Sequence, residues 1–161
     1  MNRGGAMDIP DLPPDIAFHP LGPDDETAAF DIKKAALGPH VAAHWGWDDA
    51  VQAEFHRRRF RARPVMAIVR DGEMLGTVCL QRSGTGLRLD EFYLLPRWQR
   101  EGLGTRILRH CLSLADAERL PVGLQHLAWN PVGTLYRRHG FVEAGRDDTI
   151  VYMERPPQPD R

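Results

Sequence analysis

The 161-residue sequence predicts a single α/β (α+β) domain with a mixed, mostly antiparallel sheet of about seven strands and about four flanking helices. Three observations carry this reading. Between positions 65 and 95, three strand-like runs are separated by Asp71-Gly72 and by Ser83-Gly84-Thr85-Gly86, both turn signals. An apolar stripe at helical spacing follows, made of Leu103, Ile107, Leu108, Cys111, Leu112 and Ala115, with Arg106, Arg109 and His110 on its other side. Beyond it stand a strand, a short capped helix and a final hairpin.

In chain order, Ile16–Leu21 is expected as a short first strand. Gly22-Pro23-Asp24-Asp25 starts a helix, its proline and acids suiting the first turn, and Gly38-Pro39 is expected to stop it. Trp45-Gly46-Trp47-Asp48 breaks the chain before a second helix, with Asp48 as N-cap, Val51 and Phe55 at helical spacing, and Pro64 as terminator. The meander Val65–Val69, Glu73–Gln81 and Leu87–Leu95 ends at Pro96. After the third helix come a strand over Val122–Trp129 and a short helix capped by Asn130-Pro131 and ended by Gly140. Phe141–Arg146 and Thr149–Glu154 then form a hairpin around Asp147-Asp148. Residues 1–15 and 155–161, rich in proline, glycine and aspartate, read as flexible tails on a domain spanning 16–154.

Composition narrows the function. With net charge −1 and both signs interspersed, nothing favours nucleic acid or an anionic membrane. Arg57-Arg58-Arg59 is the one dense basic run, and a solvated helix face is its expected setting. No apolar stretch reaches the roughly 18 residues of a membrane span, and the N-terminus lacks the apolar core of a signal peptide. Cys79 and Cys111 lie in apolar segments, which fits buried thiols in a reducing, cytoplasmic setting. His40 and His44 have the spacing of a metal pair but no third ligand nearby, so no metal is expected. His139, at a helix end, is expected to serve the last carbonyls.

The informative stretch is Gln99-Arg100-Glu101-Gly102-Leu103-Gly104-Thr105, which enters the third helix. It is not a dinucleotide fingerprint, because position 107 is Ile107 where a third glycine is required. It is not a P-loop, because no lysine follows Gly104. What remains is a glycine loop whose backbone can approach an anion closely at a helix N-terminus, where unpaired N–H groups and the dipole favour phosphate.

Leu94-Leu95-Pro96 followed by Gln99-Arg100-Glu101-Gly102-Leu103-Gly104 resembles the acetyl-CoA signature of the GNAT (GCN5-related) N-acetyltransferase superfamily. Asn130 followed by Leu135-Tyr136-Arg137-Arg138-His139-Gly140-Phe141 is similar to that family's second signature. The element order matches the family over nearly the whole chain. The resemblance implies a splay between the fourth and fifth strands that takes the pantetheine arm, with Leu94 and Leu95 beside the acetyl group. It implies that Gln99, Arg100, Glu101, Gly102, Leu103, Gly104 and Thr105 surround the phosphates of coenzyme A, and that Asn130 and Tyr136 flank the thiol. Tyr136 is the expected proton donor to the departing thiolate.

Other residues carry two readings each. Asp90, four residues before Leu94, shares its face by strand alternation and is the first candidate for general base; its alternative is a partner for Arg88. Glu91 is the second, because a bulge would reverse the facing. Trp45 and Trp47 are expected to wall an acceptor pocket, with core packing as the alternative, and Gln125 to point towards the acceptor. Asn130 is also a good N-cap.

The expected function is therefore direct transfer of an acetyl group from acetyl-CoA to a primary amine of a small molecule or peptide, without metal, nucleic acid or membrane and with a homodimer left open. Another acyl-CoA donor, or a non-catalytic CoA-binding module, are the alternatives. The scaffold does not select the acceptor.

Overall fold

The structure, a computed structural model, describes residues 5–159. Seven strands form one sheet in the order β1-β2-β3-β4-β5-β7-β6: β1 Ala17–Pro20, β2 Met66–Arg70, β3 Glu73–Ser83, β4 Gly86–Leu94, β5 Val122–Leu127, β6 Val142–Arg146 and β7 Ile150–Arg155. Every pairing is antiparallel except β4 with β5, which the helix α3 (Leu103–Ala117) connects. α1 (Glu26–Trp45) and α2 (Asp49–Ala62) lie on the opposite face from α3, and α4 (Gly133–Arg138) follows β5.

The larger core lies under α3, where Ile107, Leu108 and Cys111 meet Leu75, Val78, Leu89 and Leu94. A smaller core joins Ala29 and Phe60 of α1 and α2 to Ala67 and Cys79. Burial pushes both the Cys79 and Cys111 thiols up to about 12, so neither supplies a thiolate near neutral pH.

Local signals placed most elements well. Asp48 accepts the Val51 N–H at 3.0 Å, and His139 Nδ1 sits 2.8 Å from the Leu135 carbonyl in the last turn of α4. Asn130 Oδ1 accepts the Val132 N–H at 3.1 Å, although regular helix begins only at Gly133.

Three expectations need correction. Gly38-Pro39 does not end α1, which runs on to Trp45. Proline costs that helix one hydrogen bond, while the added turns bury Val41 and carry His40 and Trp45 along a cavity. The N-terminal segment is not a free tail: Ile9 is buried in the larger core, and the Met7 N–H donates to Leu80 at 3.2 Å. Residues 1–4 and 160–161 of the expected tails lie outside the described residues.

The C-terminal segment is anchored as well. β7 extends to Arg155, whose buried guanidinium donates to both oxygens of Asp116 at 2.7 and 3.0 Å, while Asp116 also accepts the Gln158 N–H at 2.9 Å. The Arg155 hydrogen bonds hold the Asp116 carboxyl below its ordinary value of 3.8. A depressed carboxylate stabilises the fold above its unfolded pKa and loses that contribution as pH falls through its folded pKa. Asp116→Asn should therefore cost about 2–3 kcal/mol at pH 7, because Arg155 stays buried without its counter-charge. Thermal melts should show a drop of about 5–10 °C for a chain of this size. That deficit should begin to narrow below pH 3.8, where the unfolded chain takes up the proton, and should be gone once pH falls below the depressed folded value.

Candidate active site

β4 and β5 are paired only at Leu87–Val122 and Arg88–Gly123, after which the strands part. β4 continues to Leu94 and β5 to Leu127, so between them lies an open wedge whose facing backbone groups have no ladder partner. The wedge belongs to a cavity of about 790 Å³, bounded by α1 and α2 on one side, by the loop into α3 at one end, and by β5 and α4.

The loop end leaves the first backbone N–H groups of α3 unpaired. Gly102, at φ +78°, is the N-cap of α3 and has no side chain to cap it. The first intrahelical bond runs from the Arg106 N–H to the Gly102 carbonyl, leaving the N–H groups of Leu103, Gly104 and Thr105 without helical partners. Arg100, Gly102, Gly104 and Thr105 line the cavity there, as does Gln99, whose amide also ties the Leu94 carbonyl at 2.8 Å. Leu94, Asn130, Tyr136 and Gln125 line it too. Leu95 and Glu101 do not, and the Leu103 side chain turns into the core, leaving only its backbone at the loop.

A bulge in β4 rearranges the central strand. Thr77 pairs with Tyr93 and Cys79 with Asp90, so Glu91 and Phe92 both stand opposite Val78. Glu91 adopts φ +48°, a left-handed conformation that costs a non-glycine residue about 1–2 kcal/mol. Thr77 Oγ1 offsets this by donating to the Glu91 carbonyl at 2.8 Å, and Lys33 Nζ lies 3.5 Å from the Glu91 carboxylate. Opposite, a Cβ on Gly76 would collide with the Tyr93 carbonyl oxygen, so glycine is required at that position.

The bulge overturns the expected facing. Leu94 points to the α3 core, whereas Asp90 shares the α1–α2 face with its cross-strand partner Cys79. Asp90 is also engaged: Arg88 Nε donates to both its oxygens at 3.0 Å, Gln81 Nε2 to Oδ2 at 3.1 Å, and Arg63 lies 3.4 Å away. Glu91 borders the cavity with Lys33 as its partner, both nearly sealed from solvent at 9% and 8% exposure. Burial pulls the Lys33 ammonium below the ordinary lysine range, and the Glu91 charge opposes that shift.

Tyr136 is buried against Phe141 and His126, and desolvation raises its hydroxyl above the ordinary tyrosine value of 10. It is a neutral donor throughout the physiological range. The tryptophans part company. Trp45 lines the cavity at 56% exposure and meets Trp129 edge-on. Trp47 is no cavity wall: its ring stacks on Phe30 and lies over Gly38, and its Nε1 donates to Asp49 at 2.6 Å. His44 stacks on Trp129 at 4.1 Å.

Lys33, Gln52, Phe55, Arg59, Tyr93 and His126 also border the cavity, and sequence reasoning missed them. Lys33 had a signal, as a cation on the helix stripe that carries Ala29, Ile32, Leu37 and Val41.

A family profile described as an acetyltransferase (GNAT) domain matches residues 62–143, just over half the chain. The fold is similar to that of the paia N-acetyltransferase from Thermoplasma acidophilum, solved in complex with coenzyme A, with a TM-score of 0.71 at 15% identity over 89% of this chain and 99% of that one. It is similar also to the ribosomal-protein-S18-alanine N-acetyltransferase from Escherichia coli, with a TM-score of 0.64 at 20% identity over 91% and 96%. An acetyltransferase from Thermus thermophilus gives 0.71 at 14% identity over 93% and 99%. At these identities the likeness is one of fold. No curated protein matches the chain by sequence.

Proposed function

Because the chain belongs to the GNAT acetyltransferase family, we propose that it transfers an acetyl group directly from acetyl-CoA to a primary amine of a small molecule or peptide. The observation that carries this reading is the β4–β5 wedge opening onto the uncapped N-terminus of α3. Unpaired N–H groups at Leu103, Gly104 and Thr105, with the Arg100 cation beside them, fit a pyrophosphate, and the wedge fits an extended pantetheine arm.

When bound, acetyl-CoA supplies an activated acetyl group. The residues of this chain do the rest. Glu91 takes a proton from the acceptor's ammonium, directly or through a water. Asp90 is the poorer base, since Arg88, Arg63 and Gln81 occupy its oxygens. As the amide C–N bond forms and the thioester C–S bond breaks, the unpaired N–H groups of β4 stabilise charge developing on the carbonyl oxygen. Tyr136 donates a hydrogen bond from its hydroxyl to the departing sulfur, and the second proton of the attacking nitrogen passes through solvent so that CoA leaves as the thiol. Trp45 supplies an aromatic wall for the acceptor. Buried thiols at Cys79 and Cys111 argue against a covalent acetyl-enzyme.

Incubating the protein with acetyl-CoA, a thiol reagent and a panel of amines tests this reading. Amine-dependent thiol release is the expected result. Tight CoA binding by calorimetry without release for any amine would make the protein a CoA-binding module instead. Gly104→Val tests the loop. A Cβ there meets only Leu94 Cδ1, at an ordinary 3.5 Å, so the fold should survive. The added bulk blocks backbone approach to the phosphates, and CoA affinity should fall at least tenfold, about 1.4 kcal/mol.

A further inference from the structure

The cavity wall contributed by α2 has a charge pattern that bears on the acceptor, if the transferase reading above holds. Arginines stand at 57, 58, 59, 61 and 63. Arg57 and Arg58 both pair with Glu54, Arg61 lies 3.4 Å from Glu26, and Arg63 lies 3.4 Å from Asp90. Among the described residues Arg59 alone of these has no carboxylate within ion-pair distance, and it alone of them lines the cavity. Gln52, Phe55 and Arg59 follow i, i+3, i+7 spacing, so they form one stripe along the helix, and all three border the cavity.

The facing wall cannot neutralise that arginine. Glu91 is held by Lys33, and Asp90 by Arg63 and Arg88. Of the four cations Lys33, Arg63, Arg88 and Arg59, three share these two carboxylates, and among the described residues Arg59 is the one without a carboxylate partner. Beside it, Phe55 and Trp45 remain 54% and 56% exposed, an apolar surface large enough for a hydrophobic body.

We propose that Arg59 is a specificity determinant for an acceptor that carries a carboxylate besides its amine, with an apolar portion resting on Phe55 and Trp45. A monoanionic carboxylate matches one unpaired guanidinium, which can grip it through two parallel hydrogen bonds. The amine then reaches the β4 bulge, where Glu91 stands. The acceptor class is thus an amino acid or a similar apolar amino carboxylate, and a polyamine is disfavoured by the surplus of cations.

Matched probes test this. Phenylalanine should be acetylated with a kcat/KM at least tenfold above that of phenylalaninamide, a factor in the range of one charge-assisted hydrogen bond. Arg59→Gln should erase the preference by raising the KM for phenylalanine, with the KM for acetyl-CoA and the melting temperature unchanged. An equal or reversed preference overturns the inference, as does an Arg59→Gln variant whose acetyl-CoA affinity falls instead, which would assign Arg59 to the coenzyme. A second measurement does not depend on turnover. Calorimetry in the presence of CoA should show N-acetylphenylalanine binding at least tenfold tighter than its amide to the wild type, and equally to Arg59→Gln. Equal binding of both to the wild type refutes the carboxylate subsite, whereas absence of thiol release with that difference intact refutes catalysis and leaves the subsite standing.

Discussion

Glu91→Gln should lower kcat/KM at neutral pH about a hundredfold to a thousandfold, within the range of a lost general base. The loss should shrink as pH rises, because an amine with a pKa near that of lysine, about 10.4, loses its own proton more readily in alkali. The same change should destabilise the protein. Lys33 is buried and Glu91 is its counter-charge at 3.5 Å, so removing the carboxylate leaves an unpaired interior ammonium, at a cost of about 3–5 kcal/mol. The sign of the pH dependence follows. Burial already depresses Lys33 below its ordinary 10.5, and losing Glu91 depresses it further. Between the folded and unfolded pKa values the unfolded chain binds more protons, so stability rises with pH there. The variant's deficit should close as pH approaches 10.5. Lys33→Met in the Glu91→Gln background separates the two roles. It should restore the melting temperature without restoring turnover, and recovery of both would reduce Glu91 to a structural partner.

Tyr136→Phe should leave the fold and CoA binding intact while lowering kcat about tenfold to a hundredfold. The ring and its contacts with Phe141 and His126 are kept, and only the donor is removed. The magnitude sits at the low end of general acid catalysis for a specific reason. A thiol has a reference pKa of about 8.5, and burial raises the tyrosine above its ordinary 10, so full proton transfer to the sulfur runs uphill. The hydroxyl acts mainly by hydrogen bonding to developing charge. A raised pKa also means that Tyr136 does not titrate below pH 10, so any basic limb in the wild-type kcat profile below that pH should persist in the phenylalanine variant. Wild-type kcat for the variant, measured where chemistry limits the rate, would remove Tyr136 from the mechanism.

Short-range signals were legible wherever a few neighbouring residues settle the backbone. Asp71-Gly72 makes a hairpin because both residues accept positive φ, at +51° and +75°. Asp48 caps a helix because its carboxylate reaches the Val51 N–H. Gly102 and Gly104 open a helix whose first N–H groups have no side-chain cap, and it was the signature around them, not the glycine pair by itself, that raised the expectation of coenzyme A. The apolar stripe from Leu103 to Ala115 could bury itself in only one way, so α3 and its core followed from periodicity.

Distant contacts decided the rest. The β4 bulge depends on cross-strand register and on Thr77 and Lys33, which are remote in sequence from Glu91, so alternation counted along the strand alone turned Asp90 to the wrong face. Pro39 reads locally as a helix end, yet burial of Val41 outweighs one lost hydrogen bond, and only the packed helix brings Trp45 to the cavity. Trp45 and Trp47, two residues apart, are indistinguishable in the chain, and Phe30 and Gly38 draw one of them out of the cavity wall. Arg59 looked like one member of a solvated basic run. Its difference from its neighbours lies in where their carboxylate partners stand, and that is a property of the assembled α1–α2–β4 face.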